Sequence, residues 1–191
     1  CQTSSNTCYM KIPEIVFSFS LLCSSPFVIS QPVPMRYGKI DTADLKMKVC
    51  SMDTSAKAMI LCDYGEFDPN SLTFTRHLRL KIFRKEGAWY ANQMINTPSK
   101  TEIRGCTYNW QDNHVVETKL RDESIFREKV RDNKYRFRVT MPEVRDGSII
   151  ELYYSFIGLP MEWRFQELIP VKWSELRIPF SPVFSFHKNL Y

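Results

Sequence analysis

The sequence predicts a mainly β fold: an antiparallel β-sandwich-like domain with one short N-terminal helix. Two observations carry this prediction. Apolar and polar residues alternate along several stretches, as in strands that bury one face. Turn signals that contain Pro, Gly, Asn or Asp separate these stretches, and helical spacing occurs mainly near the start of the domain. The 191 residues are 43% hydrophobic and 14% aromatic, which is enough for a packed core.

The first 31 residues are predicted to be a leader, and residues 32–191 the domain itself. A signal peptide is expected to start at Met10, where a basic residue precedes the apolar stretch 15–22. Val28 and Ser30 occupy the positions expected before a cleavage site. The apolar stretch is too short to span a membrane as a helix. We therefore expect an exported mature chain without a transmembrane span.

The first element of the domain is expected to be the helix. Asp41 has a side chain suited to an N-cap, and Leu45, Val49 and Met52 recur at helical spacing. After the helix the apolar residues recur at every second position, which predicts a half-buried antiparallel strand. Its apolar face comprises Leu72, Phe74, Leu78, Leu80 and Ile82, and its polar face comprises Thr73, Thr75, His77, Arg79 and Lys81.

Further strands are predicted along the rest of the chain. Residues 103–110 and 114–120 read as a hairpin, because Asp112 and Asn113 tolerate the positive φ of a tight turn. Residues 134–141 and 148–157 read as a second hairpin. The remaining strand candidates are 89–95, 161–165 and 171–178, and the stretch 124–130 is ambiguous between a strand and a helical turn.

Charge and cysteine content exclude some functions. The formal net charge is +5, but basic and acidic residues are interleaved, which favours a solvated surface over nucleic-acid binding. Beyond the leader only Cys50, Cys62 and Cys106 remain, so at most one disulfide is expected among them. The scattered Cys and His residues do not have the spacing of a zinc site. We expect no metal and no cofactor.

Cys106, His114 and Asp112 form the best enzyme candidate in the sequence. Cys106 and His114 lie on the two arms of the first predicted hairpin, and a thiol enzyme needs a thiolate, a base and an orienting group. However, a lone Cys in an amphipathic strand is usually a small buried side chain. We therefore expect no catalytic residues, and a thiol hydrolase or acyltransferase is the less favoured alternative.

Two acidic groups are interpreted as parts of solvated loops. Asp63, Glu66 and Asp68 do not follow the spacing of a calcium-binding loop. Glu143, Asp146 and Glu151 are expected to be turn and surface residues.

Aromatic and basic residues offer the candidate binding surface. The four tryptophans are expected mostly in the core, although a sugar-stacking platform, and hence a carbohydrate-binding module, is an alternative. Trp110 is the exception, because its place at the end of the hairpin would expose it. Arg136 and Arg138 form a basic strand face without interleaved aromatics. Trp110, Arg136 and Arg138 are therefore the predicted ligand or partner surface.

A series of short motifs occurs in order along the domain. The motifs are Tyr37-Gly38-Lys39-Ile40-Asp41, Asp44-Leu45-Lys46-Met47, Asp63-Tyr64-Gly65, 76–82, Thr107-Tyr108-Asn109, Lys119-Leu120, 141–152, Trp163-Arg164-Phe165-Gln166, Ile169-Pro170-Val171 and Trp173-Ser174-Glu175. This series resembles a domain of unknown function found in bacterial envelope proteins, immediately N-terminal to a transglutaminase-like domain. The resemblance covers residues 37–180. This sequence departs from the family pattern at Asn113, where a Gly is common, and at Cys106, in a strand that usually has no Cys.

The resemblance implies a non-catalytic accessory or interaction domain of an exported transglutaminase-like protein, in the periplasm or cell envelope of a Gram-negative bacterium. Its expected partner is a transglutaminase-like domain or another envelope protein. In that family the first domain continues past the point where this chain stops. The domain is therefore expected to be C-terminally incomplete, and a truncated sheet edge is expected to favour self-association.

Overall fold

The computed structural model describes residues 32–99, 101–132, 134–160 and 162–179. The predicted leader and the tail from residue 180 lie outside the described residues. All the elements belong to the unit that begins at residue 33. In chain order they are α1 (Thr42–Lys46), β1 (Ala58–Asp68), β2 (Thr73–Ile82), a 3-10 helix (Lys85–Ala91), β3 (Gln93–Thr97), β4 (Glu102–Gln111), β5 (His114–Lys119), a second 3-10 helix (Asp122–Ser124), β6 (Ile125–Arg131), β7 (Lys134–Val139), β8 (Ile149–Ile157) and β9 (Ser174–Arg177).

The strands form two sheets that share one apolar core. The large sheet has the order β5-β4-β8-β2-β1-β9, and the small sheet has the order β3-β7-β6. Leu80 and Ile150 of the large sheet and Phe137 and Val139 of the small sheet belong to the same buried cluster. The predicted mainly β, sandwich-like fold with one short α-helix is confirmed. Within the described residues, no helix has the length and hydrophobicity to cross a bilayer.

Strand β9 departs from the antiparallel expectation, because it pairs in parallel with β1. After β8 the chain runs as an irregular segment back along β1. Ile60 N donates to the Pro170 carbonyl and Lys172 N donates to the Ile60 carbonyl, each at 2.8 Å. A strand that arrives by such a crossing connection, and not by a hairpin, can run in the same direction as its neighbour. Of the predicted strand 171–178 only β9 is regular. Of the predicted strand 161–165, residue 161 lies outside the described residues and residues 162–165 form no strand.

Helix α1 begins where the sequence places it. The side chain of Asp41 accepts a hydrogen bond from Ala43 N at 2.8 Å, as an N-cap does. The helix is shorter than expected, since Met47 already has an extended ψ of 128°. Val49 and Met52 lie beyond its end and are 52% and 55% exposed, so their helical spacing did not reflect a helix.

A segment that we call the strap, residues 36–57, covers the outer face of the large sheet. Its Leu45 and Cys50 pack in a second buried cluster with Met59, Cys106 and Ile149 of the sheet. The polar face predicted for β2 therefore lies beneath the strap and not in solvent. His77, Arg79 and Lys81 are only 5%, 7% and 0% exposed.

Several predicted boundaries are corrected by the tertiary structure. Leu72 has a φ of 54° and is 45% exposed, so it belongs to the turn before β2 and not to its apolar face. Residues 89–91 are 3-10 helix, and only the second half of the predicted strand 89–95 is extended. The ambiguous stretch 124–130 is mostly strand β6.

The first predicted hairpin is confirmed, and the second is wrong. β4 pairs with β5 across a turn in which Asp112 and Asn113 have φ of 47° and 63°. β7 and β8 do not pair with each other: β7 lies between β3 and β6, whereas β8 lies between β4 and β2. Both strands present apolar side chains to the same core from opposite sheets, and alternation alone does not tell which sheet a strand joins.

Candidate functional site

The candidate catalytic residues are not brought together. In the β4–β5 register Cys106 pairs with Lys119, whereas His114 pairs with Gln111 at the other end of the hairpin. Cys106 is 2% exposed, and burial raises the pKa of its thiol. The ring of His114 contacts the carbonyl oxygen of Asp112 at 3.1 Å. The Cys106 thiol is therefore buried and protonated, and His114 lies at the other end of the hairpin. A thiol enzyme needs a thiolate with a base beside it, and these two residues do not form such a pair.

The first acidic group is not a solvated loop, because its three residues belong to β1 and each has its own partner. Asp63 is 1% exposed and accepts from Arg76 Nε at 2.7 Å and from Arg76 Nη2 at 2.6 Å. Glu66 accepts from the Tyr64 hydroxyl at 2.9 Å. Asp68 closes a turn by accepting from Asn70 N. In the described part of the chain, no group of three or more Cys, His, Asp or Glu residues is arranged to hold a metal ion.

Glu151 corrects the second acidic group, because it is fully buried and not a surface residue. Its Oε1 lies 2.8 Å from His77 Nε2 and accepts from Arg79 Nη2 at 2.5 Å. Its Oε2 accepts from Gly38 N at 2.8 Å and from the Tyr108 hydroxyl at 2.9 Å. Burial by itself raises the pKa of Glu151, but the bonds from His77 and Arg79 outweigh it and lower the pKa to about 2.

This buried network connects the large sheet to the strap. Arg79 Nη2 donates to the Arg36 carbonyl at 3.1 Å, and Lys81 Nζ donates to the Leu45 carbonyl at 2.6 Å. Charged side chains of the sheet thus bind the main chain of the strap directly. Arg79 is paired with the Glu151 carboxylate, whereas Lys81 donates to the carbonyl oxygens of Leu45 and Gly147, and burial lowers its pKa to about 8. The three cysteines of the domain are free and buried.

The tryptophans do not share one position in the fold. Trp110 is half-buried, and Lys46 Nζ lies 4.2 Å from its ring centroid. Trp163 packs against the core near Phe74. Trp89 and Trp173 are 58% and 51% exposed, so their expected place in the core is wrong. Trp89 lies on the first 3-10 helix and Trp173 lies just before β9. The sequence pattern did not distinguish these positions from core positions.

Arg136 and Arg138 lie on the outer face of the small sheet, the face turned away from the core. They occupy its central strand, β7, where the alternation also places Lys134 on that face. In the register, Arg138 pairs with Met94 of β3 and with Phe126 of β6. Met94, Arg138 and Phe126 therefore form one row across the sheet, and we call it the exposed row.

The exposed row has an unusual composition for a solvated sheet face. Met94 and Phe126 are 60% and 61% exposed, and the guanidinium of Arg138 lies 5.8 Å from the Phe126 ring centroid. The aromatic ring on this basic face comes from the neighbouring strand β6 and not from β7 itself. Sequence alternation identified the arginines, but Met94 and Phe126 join them only through cross-strand register.

A second row lies beside the exposed row and is polar. Arg136 Nε donates to Asn96 Oδ1 at 3.4 Å, and Arg136 Nη1 lies 3.9 Å from Glu128 Oε2. Residues 125–139, which form the β6–β7 hairpin, contain six Lys or Arg and two Asp or Glu, a net charge of +4. The net charge of the whole chain is +5. Positive charge is therefore concentrated on this hairpin, contrary to the expectation of an evenly interleaved surface.

A cavity of about 250 Å³ adjoins the second row at one end of the small sheet. Asn96 and Arg136 belong both to the outer face and to the wall of this cavity. Its other lining residues are Thr97, Pro98, Val130, Lys134, Tyr135 and Phe156. Two cationic side chains thus stand around a mainly apolar pocket.

The chain matches no protein-family model. It matches no curated protein either. Among solved structures, one similar chain is a "putative protease" from Parabacteroides distasonis, with 16% identity and a TM-score of 0.42. The alignment covers 55% of this chain and 23% of that chain, so the similar part spans less than a quarter of the other protein. A likeness at this level carries no argument about function, and the resemblance to the transglutaminase-associated domain stays a prediction.

The edge of the large sheet at β9 is short. This strand has four residues, and the tail that follows it lies outside the described residues. Association of two chains through a truncated sheet edge therefore also stays a prediction.

Proposed function

We propose that this domain is a non-catalytic interaction module that binds a partner protein through the outer face of its small sheet. The exposed row carries the proposal. Its two large apolar side chains are each about 60% exposed, and Arg138 lies between them in the strand register. Aromatic residues, Met and Arg are the side chains enriched where proteins bind each other.

The charged groups inside the domain support a structural and not a catalytic role for the interior. The carboxylate of Glu151 is saturated by four donors, and Cys106 lies beneath the surface. Neither group presents a free reactive atom to a substrate. Exposed apolar and cationic side chains occur together on the outer face of the small sheet.

The partner that we propose is a transglutaminase-like domain or another envelope protein, met after export. The support for this partner is the ordered series of motifs that resembles the transglutaminase-associated domain. An accessory domain of this kind needs a surface complementary to its neighbour and no chemistry of its own.

The test is binding to a separately expressed transglutaminase-like domain from a protein of the resembled family, measured by isothermal titration calorimetry. A Met94→Ser, Phe126→Ser double variant removes the apolar part of the row at exposed positions. We expect about tenfold weaker binding or more, since truncating central interface side chains commonly costs over 1 kcal/mol each.

Leu168→Ser is the matched control, because Leu168 is an apolar side chain 91% exposed elsewhere on the domain. It should leave binding unchanged. Absence of binding by the wild-type domain, or equal weakening by the control, would refute the proposed surface. Saturable quenching of tryptophan fluorescence by a panel of envelope glycans, without binding to the protein partner, would favour a carbohydrate-binding module instead.

A further inference from the structure

We propose that the partner segment bound by the small sheet is acidic and that it seats one apolar side chain in the cavity beside Arg136. This inference rests on the proposed function and names the chemistry of the partner. It joins two observations, the positive charge of the β6–β7 hairpin and the mainly apolar pocket at its end.

The first step is charge complementarity. Lys134, Arg136 and Arg138 stand on one face of β7. Glu128 is the carboxylate that approaches Arg136, at 3.9 Å, which is longer than a direct hydrogen bond. Among the described residues, no carboxylate lies within 4 Å of a side-chain nitrogen of Lys134 or Arg138. Because these cations lack a close carboxylate within the domain, carboxylates of a binding partner can pair with them.

The second step is the shape of the pocket. Its volume of about 250 Å³ exceeds that of one large side chain, and Tyr135, Phe156, Pro98 and Val130 supply apolar walls. Arg136 forms part of the wall and also lies on the outer face, so the charged face and the pocket are continuous. A partner side chain can therefore enter the pocket while its acidic neighbours meet the cations.

The third step distinguishes a protein segment from other polyanions. The exposed row offers a thioether and a phenyl ring beside its guanidinium, which suits the apolar side chains of a peptide. Sugar recognition relies on directional polar groups around flat rings, and the exposed row has no such groups besides the guanidinium. Single-stranded nucleic acid needs successive aromatic rings for its bases, and the row contains one.

The experiment uses fluorescein-labelled decapeptides and the full chain, with binding followed by fluorescence anisotropy. The probes are a Glu-rich peptide with a central Phe, the same peptide with Gly in place of Phe, a Lys-rich peptide with Phe, and the oligonucleotide dT10. We expect the Glu-rich peptide with Phe to bind at least about tenfold more tightly than each of the others, because charge and apolar anchor both contribute.

Two variants separate the two contributions. Arg138→Ala, which removes a cation outside the cavity wall, should weaken binding of both Glu-rich peptides, with a smaller dependence on salt. Val130→Trp, at a position 42% exposed, should fill the mouth of the cavity and abolish only the advantage of the Phe peptide. Arg121→Ala is the control, since Arg121 is an exposed cation outside the small sheet, and it should change neither affinity.

Four results would overturn the inference. Equal binding of the Phe and Gly peptides, or indifference of the Phe peptide to Val130→Trp, would remove the apolar anchor. Tighter binding of dT10 than of the Glu-rich peptides would assign the face to nucleic acid. Loss of peptide binding while the transglutaminase-like domain still binds through the exposed row would sink this inference and leave the proposed function standing.

Discussion

Replacing Glu151 with Gln should lower the free energy of unfolding by about 3 to 5 kcal/mol, the cost of breaking a buried ion pair on one side. Each carboxylate oxygen of Glu151 faces two donors: His77 and Arg79 at Oε1, Gly38 N and the Tyr108 hydroxyl at Oε2. An amide is nearly the same size, but in either orientation its NH₂ group points at a group that can only donate, Arg79 Nη2 or Gly38 N. The change therefore leaves Arg79 buried, charged and poorly paired.

The assay is urea unfolding followed by far-ultraviolet circular dichroism. With a slope of roughly 2 kcal/mol per M for a domain of this size, the midpoint should fall by roughly 2 M. Glu143→Gln is the matched control, because Glu143 pairs with Arg145 at 2.6 Å on the surface, where such pairs contribute less than about 1 kcal/mol. Equal midpoints for the two variants would refute the claim that the network holds the strap.

Two further predictions follow from buried ionisable groups. The pKa of Glu151 is lowered from 4.5 to about 2, so its contribution to stability is complete above about pH 4.5 and is lost as the pH falls towards 2. Unfolding midpoints measured across this range should therefore fall for the wild type and change less for Glu151→Gln; parallel profiles would contradict the assignment. Cys106, which is 2% exposed and has a raised thiol pKa, should react with a disulfide reagent only as fast as the domain unfolds. Rapid labelling of Cys106 at neutral pH without denaturant would show that its thiol is accessible and would support the thiol-enzyme alternative.

The location of the polar residues shows where sequence reasoning stops. Alternation correctly put Leu78 and Leu80 on the core side of β2, but it assigned His77, Arg79 and Lys81 to solvent. Period two separates the faces of a strand and does not reveal whether a second layer covers the polar one. Here the strap supplies that layer, and its backbone groups satisfy the buried charges.

The sequence pattern identified only part of the candidate surface, because alternation along one strand does not show which strands lie beside it. Arg136 and Arg138 stood out because they alternate with apolar residues along one strand. Phe126 and Met94 lie 12 and 44 positions before Arg138, and nothing local in the sequence links them to it. Their place in the exposed row depends on the strand order β3-β7-β6, which sequence alternation leaves open.

Local physical chemistry, written into the sequence, determined the mainly β class, the Asp41 cap, the tight turn at Asp112 and Asn113 and the core side of most strands. These features depend on neighbours a few residues apart. Only the tertiary structure decided which sheet each strand joins, that β9 runs parallel to β1, that the strap buries Glu151, and that Met94 and Phe126 flank Arg138. Those features depend on contacts between residues far apart in the sequence. Such contacts form only when the core assembles, so local sequence patterns do not reveal them.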